Sequence, residues 1–169
     1  MVIKTTGRTV PFSCEQLFDV AAAIERYPEF LPGWRSARIL RRVGNTCYVQ
    51  QELALGLLHV QFESQAVLLR PSRIEISSTD RRFRTCRCSL RVLAAGPAGP
   101  AGSRLSIEAD LELSSELLQT ILNQFQSVSL ESIVAAFEAR AHGLYGGVHT
   151  HEITDGSVRQ RTEPPAKDR

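Results

Sequence analysis

What the 169-residue chain lacks narrows its function first. Lysine is nearly absent: of 20 basic residues only Lys4 and Lys167 are Lys, and the others are Arg, which contacts phosphate and carboxylate bidentately. Those 20 bases meet 18 acids, and a net charge of +2 gives no argument for nucleic acid, so DNA is not expected as a partner. No run of about 18 apolar residues is present, so no helix is expected to span a bilayer. The opening residues, Met1 to Thr6, lack the apolar stretch of a secretion signal. The four cysteines, Cys14, Cys47, Cys86 and Cys88, make no C-x-x-C pairs, which argues against a structural zinc site. Cys86 and Cys88 share a strand face and read as small buried apolar side chains, as in a reducing cytoplasm. There is no G-x-x-x-x-G-K-S/T phosphate loop. The four histidines, His59, His142, His149 and His151, come without a nucleophile motif, so no triad is expected. His149 and His151 alone are too few ligands for a metal, and no catalytic residue or metal site is assigned.

What is present is a sequence that is 43% hydrophobic, enough for a substantial core. Residues 3–10 read as a strand ended by Pro11. Ser13-Cys14-Glu15-Gln16 is a capping box, and a helix should follow over 14–23 with Leu17, Phe18, Val20, Ala21 and Ile24 on its buried stripe. Pro28 and Pro32 disfavour helix at Tyr27 and Leu31, which makes 24–34 a short kinked helical turn and loop.

A run of strands follows. They are expected over 36–43, 46–55, 58–68, 73–79, 84–94 and 103–113. Gly44-Asn45 and Gly56-Leu57 supply turns, and the Gly/Pro-rich 96–102 an exposed loop. In the last strand Leu105, Ile107, Ala109, Leu111 and Leu113 face the core, while Glu108, Asp110 and Glu112 face water. One long helix then runs from a cap at Ser114 or Ser115 to about Leu144, ended by Gly143, Gly146 and Gly147. The expected class is α+β, with two short helices after the first strand and a curved antiparallel sheet of six or seven strands around a long C-terminal helix, the helix-grip arrangement. The domain covers 1–146, and the polar segment 147–169 reads as a disordered tail.

Residues 10–32, VPFSCEQLFDVAAAIERYPEFLP, closely resemble the opening of the coenzyme Q-binding, START-like family, which is grouped with the polyketide cyclase/dehydrase-like proteins and the ribosome-associated toxin. A second similar stretch is 134–141, VAAFEARA, followed by Leu144-Tyr145-Gly146. The chain departs from the family pattern at Gly33-Trp34-Arg35, at Arg81-Arg82-Phe83, at Cys88-Ser89-Leu90 and at Ala23-Ile24. These positions frame the mouth of the cavity that the resemblance implies.

The resemblance implies a space between sheet and last helix, lined by Tyr27, Phe30, Leu31, Trp34, Leu53, Leu55, Val60, Phe62, Phe83, Leu118, Leu122 and Phe125. Each has a core role as its alternative, because pockets and cores use the same residue types. The implied ligand is ubiquinone or another isoprenoid lipid, carried in support of respiratory electron transport, with no cofactor required. Gln124, Ser127 and Tyr27 are candidates for the headgroup. Leu57-Leu58 and Phe30-Leu31, flanked by Arg35 and Arg38, are candidates for transient contact with an anionic membrane surface, which would put a cytoplasmic protein at the periphery of the inner membrane. Two other functions are expected of such a family. One is ribosome association through Arg81, Arg82, Arg84, Arg87 and Arg91. The other is aromatase/cyclase chemistry, which needs polar groups deep in the pocket.

Overall fold

The computed structural model describes residues 3–96, 102–124 and 129–146. Alternating apolar and polar residues give seven strands: β1 (Ile3–Val10), β2 (Trp34–Val43), β3 (Thr46–Leu55), β4 (Leu58–Leu69), β5 (Arg73–Ser77), β6 (Phe83–Ala94) and β7 (Ser103–Leu113). They form one antiparallel sheet in the order β1-β7-β6-β5-β4-β3-β2. The order follows from local hairpins. Gly44 (φ 57°) and Gly56 (φ 64°) each open a two-residue turn, and their left-handed backbone suits the twist of the flanking strands.

β1 and β2 are consecutive strands at opposite edges, so the chain between them must cross the whole sheet. That crossing is made by α1 (Cys14–Ala22), a single 3-10 turn (Ile24–Arg26) and α2 (Tyr27–Phe30). Ser13 Oγ accepts the amide of Gln16 at 3.1 Å and Gln16 Oε1 accepts that of Ser13 at 3.0 Å, completing the expected capping box. Leu31 is extended, as the proline rule requires, but Tyr27 is helical (φ −52°, ψ −40°) despite Pro28. Burial of the Tyr27 ring decides that conformation, since its hydroxyl donates to the Ala21 carbonyl at 2.5 Å in the core.

The C-terminal helix is divided. α3 (Glu116–Gln124) begins after Ser115, whose Oγ accepts the Leu118 amide, and α4 (Leu130–Tyr145) starts afresh. Ser129 is extended (ψ 156°) and its hydroxyl caps α4 through the Ser132 amide at 3.2 Å, so a single helix from Ser115 to Leu144 does not form. The core lies between the concave sheet face and α1 and α4. On α4 it is met by Val134, Phe137 and Ala141, spaced for one helical face.

Edge strand β2 is protected by charge and irregularity. Its register slips between Trp34 and Ser36 and between Ile39 and Arg41, and Glu25 accepts the Ile39 amide at 3.1 Å. Phe125, Ser127, residues 97–101 of the Gly/Pro loop and the tail 147–169 lie outside the described residues. Glu108, Asp110 and Glu112 are half-buried rather than solvated: β1 and β6 flank Glu108 and Asp110, and β6 flanks Glu112; Asp110 Oδ1 is buried without a hydrogen bond among the described residues.

Candidate ligand-binding site

Among the described residues the concave face carries two apolar groups. The first belongs to the main core. Tyr27, Phe30 and Trp34 surround one another at centroid distances of 6.0 Å (Tyr27–Phe30) and 6.3 Å (Tyr27–Trp34), and Phe137 of α4 closes on them at 5.8 Å from Tyr27 and 5.4 Å from Phe30. Leu31 is buried beside them. These four predicted lining residues are thus packed as core under α4.

The second group lies on β3 and β4, where Leu53 pairs with Trp34 on one side and with Val60 on the other. Val60 and Phe62 on β4 pack with Leu53, Leu58, Phe83 and Ile121 of α3, and the Phe62 and Phe83 rings meet edge-on at 5.0 Å. Leu118 is half-buried on α3. Phe125 lies outside the described residues, as do the side chains of Leu55 and Leu122.

Along β3 and β4 a polar pair interrupts the apolar run between the two groups. Along β4 the inward residues run Leu58, Val60 and Phe62, then Ser64, then Ala66 and Leu68. Along β3 they run Cys47 and Val49, then Gln51, then Leu53. Gln51 and Ser64, only 6% and 5% exposed, are therefore buried at the boundary. Trp34 Nε1 donates to Gln51 Oε1 at 2.8 Å, and Gln51 Nε2 donates to Ser64 Oγ at 2.6 Å. Sequence alternation puts both residues on inward faces but gives no sign that they meet; that depends on the β3–β4 register, which pairs Gln51 with Phe62 and Val49 with Ser64.

Cys86 and Cys88 share the inward face of β6, opposite Leu111 and Ala109. Burial raises their thiols to about 11 and about 12 respectively, which holds them as neutral apolar groups. Burial likewise raises the Tyr27 phenol.

Of the expected headgroup contacts, Ser127 lies outside the described residues. Gln124 is exposed, and the Tyr27 hydroxyl is committed to Ala21. The expected membrane-facing residues divide too. Leu57 is fully exposed at the tip of the β3–β4 turn, whereas Leu58 joins the second apolar group, Phe30 is half-buried against Phe137 and Leu31 is buried. Arg35 and Arg38 are exposed.

Of the arginines expected to meet a ribosome, Arg82 is bound to Asp80 at 2.8 Å and Arg84 to Glu112 at 3.1 Å, which neutralises part of the patch. Arg81, Arg87 and Arg91 are exposed and make no ion pair among the described residues. His59 is on the outward face of β4, 2.8 Å from Glu52, away from the concave side.

Residues 10–138 match the family described as polyketide cyclase / dehydrase and lipid transport. The chain belongs to this family. The fold is START-like: a START superfamily protein from Mycobacterium smegmatis superposes with a TM-score of 0.67 over 84% of this chain and 98% of its own, at 16% identity. Among curated relatives, the ribosome association toxin RatA of Vibrio cholerae is 26% identical, covering 81% of this chain and 93% of its own. The mitochondrial coenzyme Q-binding protein COQ10 of Dictyostelium discoideum is 23% identical, covering 86% of this chain and 72% of its own. The family thus joins binding proteins with cyclases, and its shared feature is the sheet-and-helix grip seen here.

Proposed function

We propose that this protein binds ubiquinone or a related isoprenoid lipid between the concave sheet and α3, and carries it in support of respiratory electron transport. The observation that carries the proposal is the second apolar group. Leu53, Val60, Phe62 and Phe83 sit under α3, set apart from the main core by Gln51 and Ser64. A core needs no such division, but an amphipathic ligand with a polar ring and an apolar tail does. The name of the Dictyostelium relative supports the choice of a quinone.

Magnitudes favour carriage over storage. Covering about 400 Å² of isoprenoid tail at about 25 cal/mol per Å² contributes on the order of 10 kcal/mol against water. A bilayer offers the tail a similar gain, so the balance between protein and membrane is close and the ligand can be released. Leu57, exposed at the β3–β4 turn next to Leu58 of the second group, gives that end of the molecule a means of touching a membrane, and the exposed Arg35 and Arg38 of β2 suit an anionic one.

The test is organic extraction of the purified protein followed by mass spectrometry. A co-purifying quinone or isoprenoid near one per chain supports the carrier; an empty protein that also refuses added quinone rejects it.

A second reading is supported by the Vibrio relative and by the exposed Arg81, Arg87 and Arg91: association with the large ribosomal subunit. Its mark would be co-sedimentation with ribosomes that falls steeply with added salt. Cyclase chemistry is the third use known in this family. It would have to rest on Gln51 and Ser64, which are neutral hydrogen-bonding groups rather than an acid and a base.

A further inference from the structure

The buried row on the concave face has a direction fixed by chemistry. The indole N–H of Trp34 is a donor only, so the Gln51 atom facing it must be Oε1. The amide nitrogen then points the other way and donates to Ser64 Oγ. Ser64 Oγ accepts that bond and still has its own proton to give. No group among the described residues accepts it, although Ser64 is buried. A buried hydroxyl proton without an acceptor is unfavourable, and the chain Trp34→Gln51→Ser64 therefore ends on a donor that awaits an acceptor.

We infer that Ser64 is the headgroup anchor of the bound ligand and selects a carbonyl oxygen, so that the protein takes a quinone in its oxidised form in preference to the quinol. This rests on the carrier reading above and adds the residue and the redox state. A quinone carbonyl only accepts and completes the row. A quinol brings a second hydroxyl proton: the one hydrogen bond it can share with Ser64 leaves one of the two protons without an acceptor, and Gln51 Oε1 is turned the other way, toward Trp34. The position agrees with the geometry, since Ser64 follows Phe62 on the inward face of β4, at the boundary of the apolar group that would hold the tail.

The test compares three probes: ubiquinone with a two-isoprene tail, its quinol kept reduced, and the ring dimethyl ether, which has neither carbonyl nor hydroxyl at those positions. Wild-type protein should bind the quinone about three- to ten-fold tighter than either of the others, the factor one net hydrogen bond supplies. Ser64→Ala should lose that preference, and Ser64→Thr should restore it. Infrared spectra of the wild-type complex give a readout that needs no variant: one carbonyl stretch of the bound quinone should be lowered relative to quinone in hydrocarbon. Equal binding of all three probes, or two unshifted carbonyl bands, overturns the anchor and leaves the carrier standing. Failure of wild-type protein to bind any of the three overturns the carrier as well.

Discussion

The Phe137 ring stands edge-on to the Tyr27 ring at a centroid distance of 5.8 Å and an interplanar angle of 84°, and so ties the last helix to the turn after the first. Phe137 also meets Phe30, and only 4% of it is exposed. Phe137→Ala would leave a cavity at the junction of α2, α4 and the sheet. The expected loss is about 3–5 kcal/mol of folding stability, read from urea or guanidinium denaturation. A loss under about 1 kcal/mol, the range of a surface substitution, would show that α4 is held by other contacts.

Ser13→Ala removes one half of the capping box at the start of α1. The expected cost is about 1 kcal/mol, with the same dependence on denaturant concentration as the unaltered protein. Since α1 is the segment that carries the chain across the sheet, no change in stability would mean that its packing alone sets where it starts.

The inward cysteines make a prediction about pH. Burial raises Cys86 to about 11 and Cys88 to about 12, so at pH 8 only on the order of one Cys86 in a thousand is thiolate. The charged form is the one disfavoured by folding, so the fold opposes deprotonation and loses stability only as pH rises above the ordinary thiol range. Iodoacetamide at pH 8 should therefore leave both unmodified in the native protein and label both after unfolding, as peptide mass mapping would show. Rapid native labelling of Cys88 would contradict its position on the concave face.

Much of this fold was legible because its signals are local. The capping box at Ser13, the glycine turns at Gly44 and Gly56, and the alternation through Leu105, Ile107 and Leu113 each need only neighbouring residues. The break at Ser129 was not legible from periodicity, since apolar residues continue at helical spacing across it. Its one signal is a serine just before Leu130-Glu131, the chemistry of a helix start. Tyr27 defeated a local rule in the other direction, because burial of its ring outweighs the bias imposed by Pro28. In the candidate site, the second apolar group drew Leu53, Val60, Phe62 and Phe83 from the expected lining, while Tyr27, Phe30, Leu31 and Trp34 went to the core. Gln51 and Ser64 were placed on the inner face by alternation, but their partnership is a matter of register between strands, which no single stretch of sequence contains.

The most direct measurement of ligand binding uses the chain's one tryptophan, Trp34, which is hydrogen-bonded to the row that borders the proposed site. Quinones quench indole fluorescence, so titrating the protein with short-tailed ubiquinone reports occupancy without a label. The account predicts saturable quenching that ends at one quinone per chain and is lost in Phe62→Arg, provided circular dichroism shows that variant still folded. Quenching that only rises linearly with quinone, identical in the unaltered protein and in Phe62→Arg, would contradict it.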